Sequence, residues 1–112
     1  MNDIHTQLVE LFDPELKEEL CGLITAEGRL FLVPNVHAEP TKGFQLDPVA
    51  FLNLLTTYEI VGTWHTHPQG DAALSQEDYA GFLQWPMLTH YIVGLDGDVR
   101  AYEVEADLVL NV

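Results

Sequence analysis

Short apolar runs alternate with segments of helical period along this chain, and a tight-turn signal sits near each end. That alternation most restricts the fold. It calls for a mixed sheet with helices packed on it, α/β or α+β, and argues against a purely parallel sheet or a helical bundle. Near the N-terminus, Ile4, Leu8, Leu11 and Phe12 fall on one helical face. Asp13-Pro14 interrupts that pattern, and a short helical turn is expected to continue through Glu19. Apolar runs at 20–25 and 29–33 flank Ala26-Glu27-Gly28 and predict a β-hairpin. Residues 34–43 read as a loop and Phe44-Gln45-Leu46 as a short strand. Asp47-Pro48 then opens a helix, with aspartate as N-cap and proline at the first helical position, and Phe51, Leu54 and Leu55 supply its apolar face. Residues 59–66 are strand-like. Ser75 caps a further helix to about Gln84, which Pro86 ends. A strand over 89–95, a turn at Asp96-Gly97 and a returning strand over 99–104 complete the pattern. Glu103, Glu105 and Asp107 read as a solvated strand edge and tail.

The chain has 112 residues, 47% of them hydrophobic, enough for one core but not two; residues 1–112 are expected to form a single domain. Four Lys/Arg against eighteen Asp/Glu give a formal charge of −14. So few cations can hardly form the basic patch that nucleic acid or an anionic membrane surface requires. A neutral or basic protein partner is favoured instead. No apolar run is long enough to span a bilayer, and Met1-Asn2-Asp3-Ile4-His5 does not read as a secretory signal. The lone Cys21 excludes an internal disulfide framework and fits a reducing compartment, so a soluble cytoplasmic location is expected.

The chemistry concentrates in the stretch from His65 to Asp78. Two histidines at i and i+2 on a strand, His65 and His67, point the same way and can meet one metal ion. Asp78, in the first turn of the next helix, can return over the end of that strand. Three such ligands and one open position for water are what a catalytic zinc site uses. Water on zinc needs a nearby base, for which spacing alone does not choose among eighteen acids.

Glu19-Leu20-Cys21-Gly22, then His65-Thr66-His67-Pro68, then Ser75-Gln76-Glu77-Asp78, in that order, resembles the JAMM motif of the MPN+, or JAB-domain, metalloproteases. The His-x-His-x₇-Ser-x-x-Asp part should arise by chance on the order of 10⁻⁵ times per start position. Val61-Gly62-Thr63-Trp64 before the histidine pair also resembles the family, and the match runs from about Glu19 to Glu103. The resemblance implies an α-β-α fold akin to cytidine deaminase and one zinc per chain on His65, His67 and Asp78. It makes Glu19 the general acid/base and Ser75 the oxyanion donor. The implied activity is hydrolysis of an amide bond in a protein or peptide substrate. That substrate would be the C-terminal tail of a ubiquitin-like or sulfur-carrier protein, or a phage tail protein. Residues 35–48 resemble the small prokaryotic and bacteriophage-tail branch, with little room for the insertions by which eukaryotic deubiquitinases grip ubiquitin. The oligomeric state is left open.

A non-catalytic MPN-type scaffold that holds zinc or a partner is the alternative, and the presence of all five motif residues weighs against it. A zinc nucleoside deaminase would need a Pro-Cys-x-x-Cys element, which one cysteine cannot supply. Ser75 and Asp78 also read as a capping box, from which Asp78 is expected to be diverted to the metal. Cys21 reads as a small buried residue and not a nucleophile. Gly22 is expected to permit close backbone approach. Trp64 belongs to the face opposite His65. His5, His37 and His90 read as surface or loop residues, and Asp71 as a residue that solubilises its loop.

Overall fold

A computed structural model describes residues 3–112. Its elements in chain order are α1 (Ile4–Leu11), β1 (Cys21–Thr25), β2 (Leu30–Val33), α2 (Pro48–Thr57), β3 (Ile60–Thr66), α3 (Gln76–Leu83), β4 (Thr89–Val93), β5 (Val99–Glu105) and β6 (Leu108–Asn111). The six strands form one sheet in the order β2-β1-β3-β4-β5-β6. Only β3 and β4 run parallel, joined by the α3 crossover; the other neighbours are antiparallel.

Helices cover both faces, giving the expected mixed α+β, α-β-α arrangement. On one face Leu8 of α1 packs with Ile24, Trp64 and Val93. On the other, α2 brings Phe51 onto Leu23 and Val33, and α3 brings Phe82 onto Ile92 and Tyr102. Strand alternation sets this division, placing Trp64 on the α1 face and His65 on the α2/α3 face. Gly22 lets the sheet close at its centre. A Cβ there would stand 1.8 Å from the Phe31 carbonyl oxygen and 2.5 Å from Trp64 Nε1.

The helix starts follow their caps. Asp3 accepts from the Thr6 amide, and Asp47 Oδ1 accepts from the Val49 and Ala50 amides with Pro48 in the first turn. Asp96 and Gly97 both adopt positive φ, as a tight β4–β5 turn requires.

Four local expectations differ. The helical turn towards Glu19 does not form. The Glu19 amide donates to the Pro40 carbonyl and the Leu20 amide to Thr66 Oγ1, which holds this segment extended. Residues 44–46 make a single bridge, Asn35 with Leu46, in place of a strand. The acidic tail is instead a hairpin: Ala106 and Asp107 take positive φ and turn β5 into β6, so β5 is not an edge. His90 is buried. Among the described residues, no helix is long and apolar enough to cross a membrane.

Candidate active site

Strand register assembles the site. Cys21 of β1 stands opposite His65 of β3, so Glu19, two residues earlier, extends past the strand beside His67. Glu19, Cys21, His65 and His67 share a face by the two-residue period. β3 ends at Thr66, and the loop that follows returns as α3, whose first turn carries Asp78.

The four groups meet there. Asp78 Oδ1 lies 3.1 Å from His65 Nε2, Asp78 Oδ2 lies 3.2 Å from His67 Nε2, and the two Nε2 atoms are 3.2 Å apart. Glu19 Oε1 stands further off, 4.0 Å from His65 Nε2. Glu19, His65 and His67 each offer a ligand atom within 4.8 Å of the others. His65, Asp78 and Glu19 are buried and His67 is half-buried. Of three neighbouring acids, Glu15 and Glu18 are exposed and only Glu19 is enclosed.

Each group is held from outside the cluster. His67 Nδ1 donates to the Asp71 carbonyl at 2.9 Å. The loop carrying Asp71 packs on Gly94, where a Cβ would lie 2.5 Å from the Asp71 carbonyl carbon. Phe44 stacks on the His65 ring with centroids 4.1 Å apart. Asn35 Nδ2 donates to the Glu19 and Gly43 carbonyls, while its Oδ1 accepts from the His37 and Gln45 amides, binding the loop to the Glu19 segment. Asp78 keeps the capping box it was expected to leave. Ser75 Oγ accepts from the Asp78 amide and Asp78 Oδ2 accepts from the Ser75 amide. A carboxylate has enough lone pairs to cap the helix and face both histidines. Ser75 is exposed, and its hydroxyl proton is left to donate.

The electrostatics separate the two carboxylates. Burial pushes the Glu19 carboxyl up to about 7, with the nearby Asp78 charge adding to it and His67 opposing. Burial also works against ionised Asp78, but hydrogen bonds and charge from His65 and His67 outweigh it and hold its carboxyl far below the usual range. Burial pulls the His65 imidazolium down, against the pull of Asp78. For His67, burial is outweighed by Asp78, the Asp71 carbonyl and Glu19, and the imidazolium is raised. Cys21 is buried, and burial pushes its thiol up to about 12, which leaves it unreactive.

The donor set suits a cation. Because His67 commits its Nδ1 proton to a carbonyl, its neutral form turns an Nε2 lone pair toward the Asp78 carboxylate and His65 Nε2. Lone pairs this close require a cation among them, a proton or a metal ion. Ligands 2.0–2.1 Å from a tetrahedral zinc stand roughly 3.3 Å from each other, close to the separations seen here. Glu19 Oε1 and His65 Nδ1 are buried without a hydrogen-bond partner.

Reasoning from sequence missed three supporting groups: Asn35, the Asp71 carbonyl and His90. His90 Nε2 donates to the Trp85 carbonyl at 3.0 Å, its Nδ1 accepts from Thr63 Oγ1 at 2.7 Å, and Phe82 stacks on its ring. Strand parity was the available signal for His90, since it pairs with Thr63 on the face that holds His65.

The molecule is thus an α-β-α domain with a His–His–carboxylate cluster at the end of a central strand. A family model described as prokaryotic homologs of the JAB domain matches residues 1–105, and the chain belongs to that family. It is 30% identical over 100 residues to the desampylase of Haloferax volcanii, an alignment covering 80% of this chain and 71% of the relative. It is 34% identical over 79 residues to a probable TtuB-protein conjugate cleaving protease of Thermus thermophilus, covering 66% of this chain and 51% of the relative. Tail tip assembly protein K of Escherichia phage N15 is 27% identical over 99 residues, 86% of this chain and 41% of that protein. The chain therefore spans about half or less of the latter two. The solution structure of a protein from Desulfitobacterium hafniense superposes with a TM-score of 0.72 at 23% identity, covering 98% of this chain and 85% of that one. That likeness concerns the fold.

Proposed function

We propose that the protein is a zinc-dependent metallopeptidase that hydrolyses an amide bond joining the C-terminal tail of a ubiquitin-like or sulfur-carrier protein to another protein. The observation that carries this reading is the convergence of His65 Nε2, His67 Nε2 and Asp78, with the buried Glu19 carboxylate, its Oε1 without a hydrogen-bond partner, beside them. His65, His67 and Asp78 would hold the ion, and Glu19, standing further off, would serve as base. Zinc bound there supplies Lewis acidity and lowers the pKa of water to about 7. Glu19 accepts a proton from the attacking water, whose oxygen bonds to the carbonyl carbon. It returns that proton to the amine nitrogen as the C–N bond breaks. The Ser75 hydroxyl donates to the developing oxyanion.

The names of the Haloferax and Thermus relatives support a protein conjugate as substrate. Processing of a phage tail protein has weaker support, from a single relative of which the chain spans 41%. A binding scaffold without turnover has no need of Glu19. A buried carboxylate with an unpartnered oxygen costs stability, which a catalytic duty accounts for. Action in the cytoplasm belongs to the same proposal.

The test uses fusions and lysine conjugates of carrier proteins ending in Gly-Gly, alongside ubiquitin chains. Cleavage of the carrier conjugates, abolished by a chelator and restored by zinc, is expected. Glu19→Gln should retain metal and lose turnover by roughly 10²–10⁴-fold. Near wild-type turnover in that variant would remove Glu19 from the mechanism. Efficient cleavage of ubiquitin chains alone would overturn the substrate assignment.

A further inference from the structure

Two openings of different character reach the site. One is a cleft of about 650 Å³ beneath residues 37–48, lined by Phe44, Phe51, Trp85 and Asp78 among others. The other is a shallower groove of about 260 Å³ at the edge of the sheet, where Glu18, Glu19, Leu32 and Val33 line the wall. The edge groove lies along β2, the outermost strand on that side, whose only strand partner among the described residues is β1. The Thr25 amide donates to the Arg29 carbonyl. By antiparallel alternation Phe31 and Val33 then bond inward to β1, and Leu30 and Leu32 turn their backbone groups to the free edge.

The edge is short and bounded by Arg29 and Pro34, devices that commonly blunt an exposed strand, yet between them Leu32 sits with 65% of its surface exposed. Leu32 also lines a second groove, of about 280 Å³, with Glu10, Leu11 and Leu30. An apolar side chain is therefore flanked by Glu10 on one side and by Glu18 and Glu19 on the other. Among the described residues, none of the four Lys/Arg lines either groove. Arg29, at the far end of β2, lies over the Phe31 and Tyr58 rings.

We propose that the free edge of β2 docks the amine-bearing partner of the scissile bond, an extended protein segment that carries a lysine and adds as a strand outside β2. The assignment rests on the hydrolase reading. Glu19 returns the proton to the leaving amine, so the amine side of the cleaved bond must lie on the Glu19 side of the site. Main-chain pairing with Leu30 and Leu32 supplies affinity for any extended segment, and Leu32 and Leu11 accept its apolar side chains. Glu10 and Glu18 select a basic segment over an acidic one, and salt weakens that selection.

The first arm of the test is independent of turnover. ¹⁵N-labelled protein is titrated with a short peptide carrying one lysine between apolar residues, and with the same peptide bearing glutamate instead. Saturable shifts at the Leu30, Leu32 and Glu18 amides, seen for the lysine peptide and diminished by salt, are expected. Shifts confined to β6 or to the cleft, or none, would overturn the proposal. The second arm measures Leu32→Lys and Glu18→Lys, both at exposed positions, on a lysine conjugate. KM should rise about tenfold or more with kcat unchanged; an unchanged KM would overturn the docking. If the wild-type protein cleaves no conjugate, the hydrolase reading fails and the peptide titration still decides whether the edge binds.

Discussion

His65 and His90 occupy adjacent parallel strands, face the same side of the sheet beneath α3 and are almost fully buried. Their ring nitrogens differ. His90 has a hydroxyl on one nitrogen and a carbonyl on the other, so the neutral ring is satisfied by neutral partners, and burial pulls its imidazolium down to about 4. His65 has an unpartnered Nδ1, and its Nε2 faces a carboxylate and a second imidazole. Burial alone does not distinguish these two histidines; what each ring nitrogen meets does. Phe82 lies between the two, stacked on His90 and edge-on to His65, so one helix rests on both.

The largest expected difference is in metal affinity. Replacing His65 with alanine leaves two ligands and should weaken zinc binding by about 100-fold or more. His90→Leu should change that affinity little and instead lower stability. It strands the Thr63 hydroxyl in the core, at a cost of about 1–3 kcal/mol, while the Trp85 carbonyl keeps the Leu88 amide as a donor. Competition titration and denaturant melts of the two variants read this crossover, and equal losses of zinc by both would erase the distinction.

A second contrast concerns pH and the metal-free protein. The folded pKa of Glu19, about 7, is above its ordinary 4.5. Its contribution to stability is therefore full below about pH 4.5 and is lost as pH rises through about 7. Glu19→Gln should then be more stable than wild type above pH 7, by on the order of 2–3 kcal/mol, and indistinguishable at pH 4. His90 acts in the opposite sense. Its folded pKa is depressed, so the stability of the neutral ring is present above pH 6.5 and lost as pH falls towards about 4. His90→Gln should flatten that acid limb. Melts across pH test both signs. The smallest effect expected is from Asn35→Ala, which frees the loop from the Glu19 segment. It should slow turnover with little change in zinc affinity, measurable as a drop in kcat at constant metal content.

The sequence was most legible where a short motif fixes geometry. The His65–His67 spacing anticipates that both rings meet on one face, and Asp47-Pro48 and Ser75 mark helix starts that form as expected. It was least legible where tertiary contacts decide. Glu19 is extended because Pro40 and Thr66 take up the backbone amides at its end, not because of any local propensity. Nothing in Asn35 or Asp71 announces that they brace Glu19 and His67 across the loops. β6 was hidden by the acidic residues before it, since Ala106 and Asp107 make the turn without a glycine. Asp78 was expected to leave the cap for the metal; it keeps the cap, and its two oxygens also reach both histidines.

Zinc stoichiometry tests the central claim most directly. Metal-free protein titrated with zinc near neutral pH should bind one ion per chain, the His90→Leu variant should do the same, and the His65→Ala variant should bind none in the same range. No binding by the wild type, or undiminished binding by His65→Ala, would contradict the account.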